Sequence, residues 1–559
     1  MNSKSLKHIL FRLTILVGCL WMIQNPSLAQ ADSLSVDASQ LKDTTKQVSR
    51  PKSKIELIYA DRGLGEHKLP NVNIFVGNVH FVHNGMNLFC DSILFNRISN
   101  TIEAFDNVRM EQGDTLFIYG DYLHYDGEIE LARLRDNIRM ENISTTLTTD
   151  SLNFDRIQDL GYYFNGGTLK DTINLLVSDW GEYSPSTKVA KFKKEVHLTN
   201  DQMELFSDTL IYNTDNTIAT ILGPSEILSA ANKILSTKGF YNTSKEQAEL
   251  LNRSQIYTEG KILTGDSLYY DRLLGIGEAF QNIEMTDTIN KNLLTGNYCY
   301  YDERLQNAFA TDRAVAIDYS QGDSLYIHGD TLRLNTYDLN TDSVFREVRV
   351  YDKVRIFRDD LQGVCDTLIY NSKDSCITLL NDPVVWNGTQ QLLGEKISLF
   401  MNDSTIDRAH IEKQALAVEQ KDSLHYNQIS GNEIEAFFQK GQIHQIDVSG
   451  NVIVGFYPEE KDLTLLGLIR AETSFMTLYI ANMQMQKMKM FPQSNGVLYP
   501  FTQIPADQLY LDNFVWLEYL RPKSKEDIFN WVDKKAEHKL KKSTPELEKP
   551  KIDPRSIKR

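Results

Sequence analysis

A six-residue phrase that returns about every 29 residues constrains this chain more than any other feature of its sequence. The clearest copies read DSILFN from Asp91, DTLIYN from Asp208, DSLYYD from Asp266 and DTLIYN again from Asp366. Weaker copies start at Asp121, Asp150, Asp179, Thr237, Asn297, Asp330, Glu395 and Asn432. Self-similarity at a fixed period of this size is typical of stacked or rolled repeat architectures.

The spacing of side chains within the phrase predicts β-strands. The fourth position after the start is aromatic in nine of the twelve copies, and the second is usually Leu or Ile. This alternation is typical of a strand with one buried face. A small residue precedes every start, and a Leu or Ile three positions before it would fall on the opposite face. We therefore expect a bulge or corner at the small residue–Asp pair, in an all-β protein of antiparallel strands.

A second recurring phrase predicts where the strands turn. It reads Gly77-Asn78-Val79, with similar triplets from Asp106, Asp136 and Gly450. Gly-Asn and Asp-Asn tolerate the left-handed backbone of tight turns, so we place turns between strands there. Alanines recur eleven residues after the start, and they either let facing sheets approach closely or leave room for a guest. These are Ala132, Ala190, Ala219, Ala248 and Ala308.

The amino terminus has the pattern of an export signal. Three basic residues precede an apolar stretch from Leu13 to Ile23, and small residues end at Ala29. We assign residues 1–29 to a secretory signal peptide, because the stretch is too short to span a membrane. A lipoprotein anchor at Cys19 is the alternative, since Leu16 to Cys19 resembles a lipoprotein box. Polar residues 30–54 then form a disordered tether.

Charge and motif content exclude several classes of function. The chain carries a net charge of −16, so nucleic-acid binding is not expected. No nucleotide-binding loop, nucleophile elbow or zinc-spaced Cys/His set is present. The repeated aspartates suit calcium or glycoside hydrolysis in principle, but their recurrence once per layer favours a structural role. We expect no enzyme, no cofactor and no metal site. Cys365 and Cys376 are a candidate disulfide across a hairpin.

The remaining residues divide by the regularity of the repeat. We predict one β-repeat module at residues 55–290, and a second module or a continuation at 291–457. Residues 458–521 depart from the repeat and are interpreted as a segment that caps the last strand edge. Residues 522–559 form a basic tail, with a small helix over residues 525–541. The stretch from Arg521 to Arg559 carries 13 basic and 7 acidic residues, which suits either a solvated tail or a contact with anionic lipid or an acidic partner.

The phrases GNVHFVHNGMNLFCDSILFN and GDSLYYD resemble the OstA-like (organic solvent tolerance) family of periplasmic lipopolysaccharide-transport proteins. The resemblance covers roughly residues 55–457. It implies an open, twisted β-jelly roll whose apolar interior shields lipid acyl chains between two membranes. It also implies a periplasmic location and three partners: lipopolysaccharide or another envelope lipid, an inner-membrane transport complex, and an outer-membrane assembly barrel. End-to-end self-association of the repeat is a further expectation.

The functional hypothesis is therefore a non-enzymatic lipid conduit in the transport of lipopolysaccharide. The candidate residues that line its groove are Phe95, Tyr125, Phe154, Tyr212, Tyr241, Tyr270 and Tyr370. Ordinary core packing explains each of these aromatic side chains equally well. The rival hypothesis is a structural or adhesive β-repeat protein of the cell envelope, which requires a fully packed interior. A carbohydrate-active β-helix enzyme is the third, and it requires a unique cluster of acids that the sequence lacks.

Overall fold

The structure is a computed structural model that describes residues 53–65, 71–229, 232–258, 260–289, 291–302, 304–320, 323–339, 341–402, 405–439, 442–460, 464–481 and 484–540. The predicted signal peptide, Cys19 and nearly all of the tether lie outside the described residues. Within them the chain forms 38 strands and five single 3-10 turns, so the all-β prediction is confirmed. None of the helical turns in this described part is long or apolar enough to cross a bilayer.

The described residues divide into two compact units. The N-terminal unit contains residues up to 258 together with 264–278, and its strands are mostly joined by short turns. β20 begins in residues that belong to the other unit. The strands are β1 (Glu56–Tyr59), β2 (Arg62–Gly65), β3 (Val72–His83), β4 (Met86–Asn96), β5 (Thr101–Gln112), β6 (Leu116–Asp126), β7 (Leu131–Asn142), β8 (Thr145–Asp155), β9 (Leu160–Tyr163), β10 (Gly167–Lys170), β11 (Leu175–Ser178), β12 (Trp180–Ser184), β13 (Val189–Thr199), β14 (Met203–Asn213), β15 (Ile218–Ile221), β16 (Ser225–Ser229), β17 (Asn232–Ser236), β18 (Lys238–Asn242), β19 (Gln247–Thr258) and β20 (Lys261–Asp271).

The C-terminal unit contains residues 260–263 and the described residues from 279 onward. β21 begins in the N-terminal unit. The strands are β21 (Ile276–Asp287), β22 (Asn292–Asp302), β23 (Asn307–Thr311), β24 (Val315–Asp318), β25 (Leu325–His328), β26 (Thr331–Tyr337), β27 (Phe345–Arg358), β28 (Leu361–Asn371), β29 (Cys376–Leu380), β30 (Val384–Asn387), β31 (Gln390–Leu393), β32 (Lys396–Asn402), β33 (Thr405–Gln420), β34 (Tyr426–Gln439), β35 (Gln442–Phe456), β36 (Gly467–Ala481), β37 (Gln484–Phe491) and β38 (Asn495–Pro500).

A corner divides each long strand into two arms. In β3 the first arm, residues 72–76, pairs with residues 92–96 of β4; after a register shift, residues 79–83 pair with residues 86–90. We call the half of the sheet that contains residues 72–76 and 92–96 arm A, and the half that contains residues 79–83 and 86–90 arm B; because the strands are antiparallel, successive long strands run through the two arms in opposite order. The same division recurs in β27 and β28, where residues 347–351 pair with 367–371 and residues 354–358 pair with 361–365. Cys90 and Ile93 are three residues apart, so in a regular strand they would lie on opposite faces, yet both are buried. The buried face therefore changes at the small residue–Asp pair, and the predicted corner is present.

The Gly-Asn-Val phrase marks a bulge rather than a turn between strands, which corrects the prediction. β3 continues through Gly77 and Asn78, whose φ angles of 83° and 44° lie in the left-handed region. At three of the corners an Asn amide donates to the Asp that starts a copy of the repeat. Asn107 Nδ2 lies 2.7 Å from Asp91 Oδ2, and Asn381 Nδ2 lies 3.0 Å from Asp366 Oδ2. The repeated aspartates therefore hold corners together, as bulges in a rolled sheet require.

The helix predicted over 525–541 is wrong: its described part contains only the 3-10 turns Asp527–Phe529 and Ala536–His538. Residues from 501 onward form no strand in the described chain, and Leu511, Leu517 and Leu520 pack on the outer face of arm B. Contacts with the sheet override helix propensity there. The cap predicted over residues 458–521 stays a prediction. Cys365 and Cys376 are both free, so no disulfide closes that hairpin.

Candidate functional site

The structure places all seven candidate aromatic side chains in the interior. Six lie in the N-terminal unit and Tyr370 lies in the C-terminal unit, all on arm A. Their exposed fractions are Phe95 9%, Tyr125 0%, Phe154 0%, Tyr212 0%, Tyr241 5%, Tyr270 6% and Tyr370 1%. They are closed from solvent in this conformation, so their role as groove-lining residues stays a prediction.

The recurring alanines make room for these rings. Across several strand pairs of arm A an aromatic residue faces a small one: Tyr125 is paired with Ala132, and Tyr212 with both Ala190 and Ala219. The alanines are themselves fully buried. On arm B of this unit the inner face is a ladder of Leu, Ile, Met and Phe that is equally closed to solvent. The interior of the N-terminal unit is therefore packed, and the space beside each alanine holds a tyrosine or phenylalanine ring rather than a guest.

Tyrosine hydroxyl groups join the free ends of the two arms in the N-terminal unit. Tyr212, near the end of arm A, donates to Asp171 and accepts a 2.7 Å hydrogen bond from Asn174 Nδ2, both residues at the end of arm B. Asn142 Nδ2, at the end of arm B in β7, donates to the Tyr183 hydroxyl at 3.2 Å. We call these contacts tyrosine latches. Burial raises the pKa of Tyr212 far above its usual value, so the hydroxyl stays protonated.

The latch at Tyr125 contains a buried cation. Arg156 Nη1 donates to the Tyr125 hydroxyl at 2.9 Å and to Glu130 Oε2 at 2.9 Å, and Nη2 donates to the Asn84 carbonyl at 3.1 Å. His83 Nδ1 lies 2.7 Å from the same hydroxyl. The Arg156 side chain is only 4% exposed. Burial lowers the pKa of His83 below 6.5, which favours the neutral ring beside this cation. Arm A and arm B are thus tied by one shared polar cluster.

The C-terminal unit lacks the latching tyrosine in three copies of the repeat, and in the copy from Asp330 the leucine that replaces it, Leu334, is buried. At the position of the latching tyrosine, the copies from Glu395 and Asn432 carry Leu399 and Ala436, which have no hydroxyl group to donate. Pairing places both on the inner face of arm A, because Leu399 and Ala436 each face Ala409. Leu399 and Ala436 are only partly buried, and so are the neighbouring inner residues Ile377 and Ile446.

Arm B of the same unit carries a matching ladder. Val385 pairs with Leu392, Leu392 with Ala417, and Ala417 with Ile429, so the four side chains share one face. Each is partly exposed. We call the surface formed by the two ladders the trough: Ile377, Leu399, Ala436 and Ile446 on arm A, with Val385, Leu392, Ala417 and Ile429 on arm B.

The trough is suited to hold an apolar guest, and not to acid–base or metal chemistry. None of its eight side chains carries a titratable group. Among the described residues no group of three or more His, Cys, Asp or Glu side chains is placed to bind a metal ion. The aromatic residues that the sequence analysis proposed as groove-lining are instead buried in the interior. The signal that the sequence offered for the trough was the absence of an aromatic residue from two successive copies, at Leu399 and Ala436.

Comparison with known proteins gives one family match. The family model described as OstA-like protein matches residues 52–208, just over a quarter of the chain and within the N-terminal unit. A comparison with curated proteins returns no match. Members of this family are envelope transport and binding proteins rather than enzymes. Residues 52–208 are therefore similar to the OstA-like family, which is associated with lipopolysaccharide transport.

Proposed function

We propose that the protein is a non-enzymatic lipid-binding conduit or bridge in the transport of lipopolysaccharide to the outer membrane, and that acyl chains occupy the trough. The observation that carries the proposal is the pair of partly exposed apolar ladders in layers where the latching tyrosine is replaced. Apolar residues normally leave this much inner surface exposed only where a ligand or partner covers it.

The energetics of burial and the size of the trough suit an acyl chain. Burying one methylene group stabilises a complex by about 0.8 kcal/mol, so a single acyl chain gains on the order of 10 kcal/mol before the cost of association. Neighbouring strands lie about 4.8 Å apart. The arm B ladder crosses three such spacings and spans roughly 15 Å, and the arm A ladder, which also crosses the strand of Ala409, spans roughly 19 Å. Both lengths are close to that of an extended acyl chain. The phosphorylated head group stays outside, since the chain has a net charge of −16.

The partners follow from the same role. A carrier without nucleotide-binding chemistry needs a donor complex at the inner membrane and an acceptor barrel at the outer membrane. The second candidate function, a structural or adhesive β-repeat, is favoured by one observation: the fully packed interior of the N-terminal unit. The two functions are compatible in one chain if the layers with a buried interior have a structural role and the layers that form the trough bind lipid.

Mass spectrometry of the protein purified from its native envelope under mild conditions tests the proposal. We expect a lipid with several acyl chains to be retained, and to be lost when Ala436 is replaced by Phe. Purification with no bound lipid, from an envelope rich in lipopolysaccharide, supports the structural β-repeat and overturns the conduit.

A further inference from the structure

The last described segment of the chain, residues 505–540, binds the C-terminal unit in an unusual way. It belongs to no strand of the described chain and includes short 3-10 turns such as Glu518–Leu520. It lies on the face of arm B opposite the trough. The buried cluster that it covers contains Val364, Val384, Trp386, Leu393, Leu416, Val418 and Tyr426 from the sheet, with Leu511, Leu517 and Leu520 from the segment.

Two buried glutamines hold the backbone of this segment. Gln428 Nε2 donates to the Leu509 carbonyl at 2.9 Å, and the Leu511 amide donates to Gln428 Oε1 at 2.9 Å. Gln391 makes the same pair of hydrogen bonds further along the segment. Its Nε2 donates to the Val515 carbonyl at 2.8 Å, and the Leu517 amide donates to its Oε1 at 2.7 Å. Each side-chain amide therefore binds residues i and i+2, as a neighbouring strand does in a sheet. Both glutamine side chains are fully buried.

Charged groups hold the middle of the segment. Arg355 is 1% exposed; its Nη1 donates to the Leu520 carbonyl at 3.2 Å and its Nη2 to Asp527 Oδ2 at 3.1 Å. Arg521 Nε donates to Gln362 Oε1 at 2.7 Å. Gln362 is also buried and lies on the same outer face of arm B. Three glutamines and one arginine of the sheet thus recognise backbone and side-chain groups of the segment.

These contacts are those of a ligand on a receptor surface. The segment packs apolar side chains such as Leu511, Leu517 and Trp516 on the cluster, and its backbone is bound by side chains of the sheet instead of by strand pairing. We propose that the outer face of arm B is a binding site for an extended peptide with this leucine spacing, and that residues 505–540 are its exchangeable occupant. This site is separate from the trough and does not depend on lipid binding.

The test uses the full chain with a protease recognition sequence inserted between Thr502 and Gln503, both exposed residues. After cleavage, a fluorescent peptide of residues 505–540 is added and its anisotropy is followed. We expect the body to stay folded and the labelled peptide to replace the severed segment. A peptide with Leu517→Ala and Leu520→Ala should bind at least about tenfold more weakly, since each truncation removes buried apolar surface.

A second set of variants tests the receptor side. Gln391→Ala and Gln428→Ala should each weaken peptide binding about tenfold, because two backbone hydrogen bonds are lost. Gln445→Ala is the matched control, since Gln445 donates to Asp447 on arm A and does not contact the segment. Unfolding of the body on cleavage, failure of the labelled peptide to bind, or equal binding of the leucine-substituted peptide overturns the proposal.

Discussion

Replacing Ala436 by Phe should lower the affinity of the protein for a long-chain lipid about a hundredfold. The side chain lies on the inner face of arm A and is partly exposed, so a phenyl ring there extends into the trough. Displacing about three methylene groups of an acyl chain costs roughly 2.5 kcal/mol, which corresponds to this change in affinity. Fluorescence titration with a long-chain fatty acid probe measures the effect.

Thr477→Phe is the matched control. Thr477 lies on arm A two strands away from Ala436, on the opposite face from Met476 and Leu478, and it is also partly exposed. The new ring then has the same size and a similar depth in the sheet, and it does not enter the trough. Equal affinities for the two variants would show that the probe binds elsewhere.

Replacing Arg156 by Met should destabilise the N-terminal unit by about 3 kcal/mol or more. The guanidinium group is buried, and its loss leaves the Glu130 carboxylate, itself only 14% exposed, without its cation. Removing one partner of a buried ion pair typically costs about 3–5 kcal/mol, because the remaining charge is uncompensated. It also removes the hydrogen bonds that Arg156 makes to Tyr125 and Asn84. Urea unfolding, followed by a probe in this unit, measures the change in midpoint.

The control for that experiment is Arg139→Met. Arg139 pairs with Glu141 at 2.7 Å and stacks on the Tyr119 ring, but its side chain is 51% exposed. Exposed ion pairs contribute little, so we expect a change of less than about 1 kcal/mol. If Arg156→Met were as mild as this control, the latch would not hold the arms together.

The sequence was most informative where one physical constraint acts on every layer. Burial of one strand face imposes the i, i+2, i+4 spacing, so the positions of Leu123 and Tyr125 on a buried face could be predicted. The corner at the small residue–Asp pair followed from the change of face. The turn predicted at Gly77-Asn78 was a bulge, because left-handed backbone serves both structures and only pairing distinguishes them.

Contacts that join distant parts of the chain were out of reach of the sequence. Nothing in the pattern shows that Gln391 binds residues 515 and 517, more than a hundred positions later. Those contacts also explain why the predicted helix over 525–541 was wrong: Asp527 is held by Arg355, and the local backbone follows the sheet. The sequence did not predict the trough, because a copy with Leu399 or Ala436 in place of tyrosine looks only like a weaker copy of the repeat.

Photo-crosslinking in living cells tests the central claim most directly. A benzophenone amino acid placed at Ala436 reports on the trough, and one at Tyr212 reports on the closed interior. The account predicts a lipopolysaccharide adduct at position 436 and none at 212. Adducts at 212 with none at 436 would contradict it, and the aromatic layers would then be the lipid path. No adduct at either position would favour the second candidate function, a structural β-repeat with a packed interior.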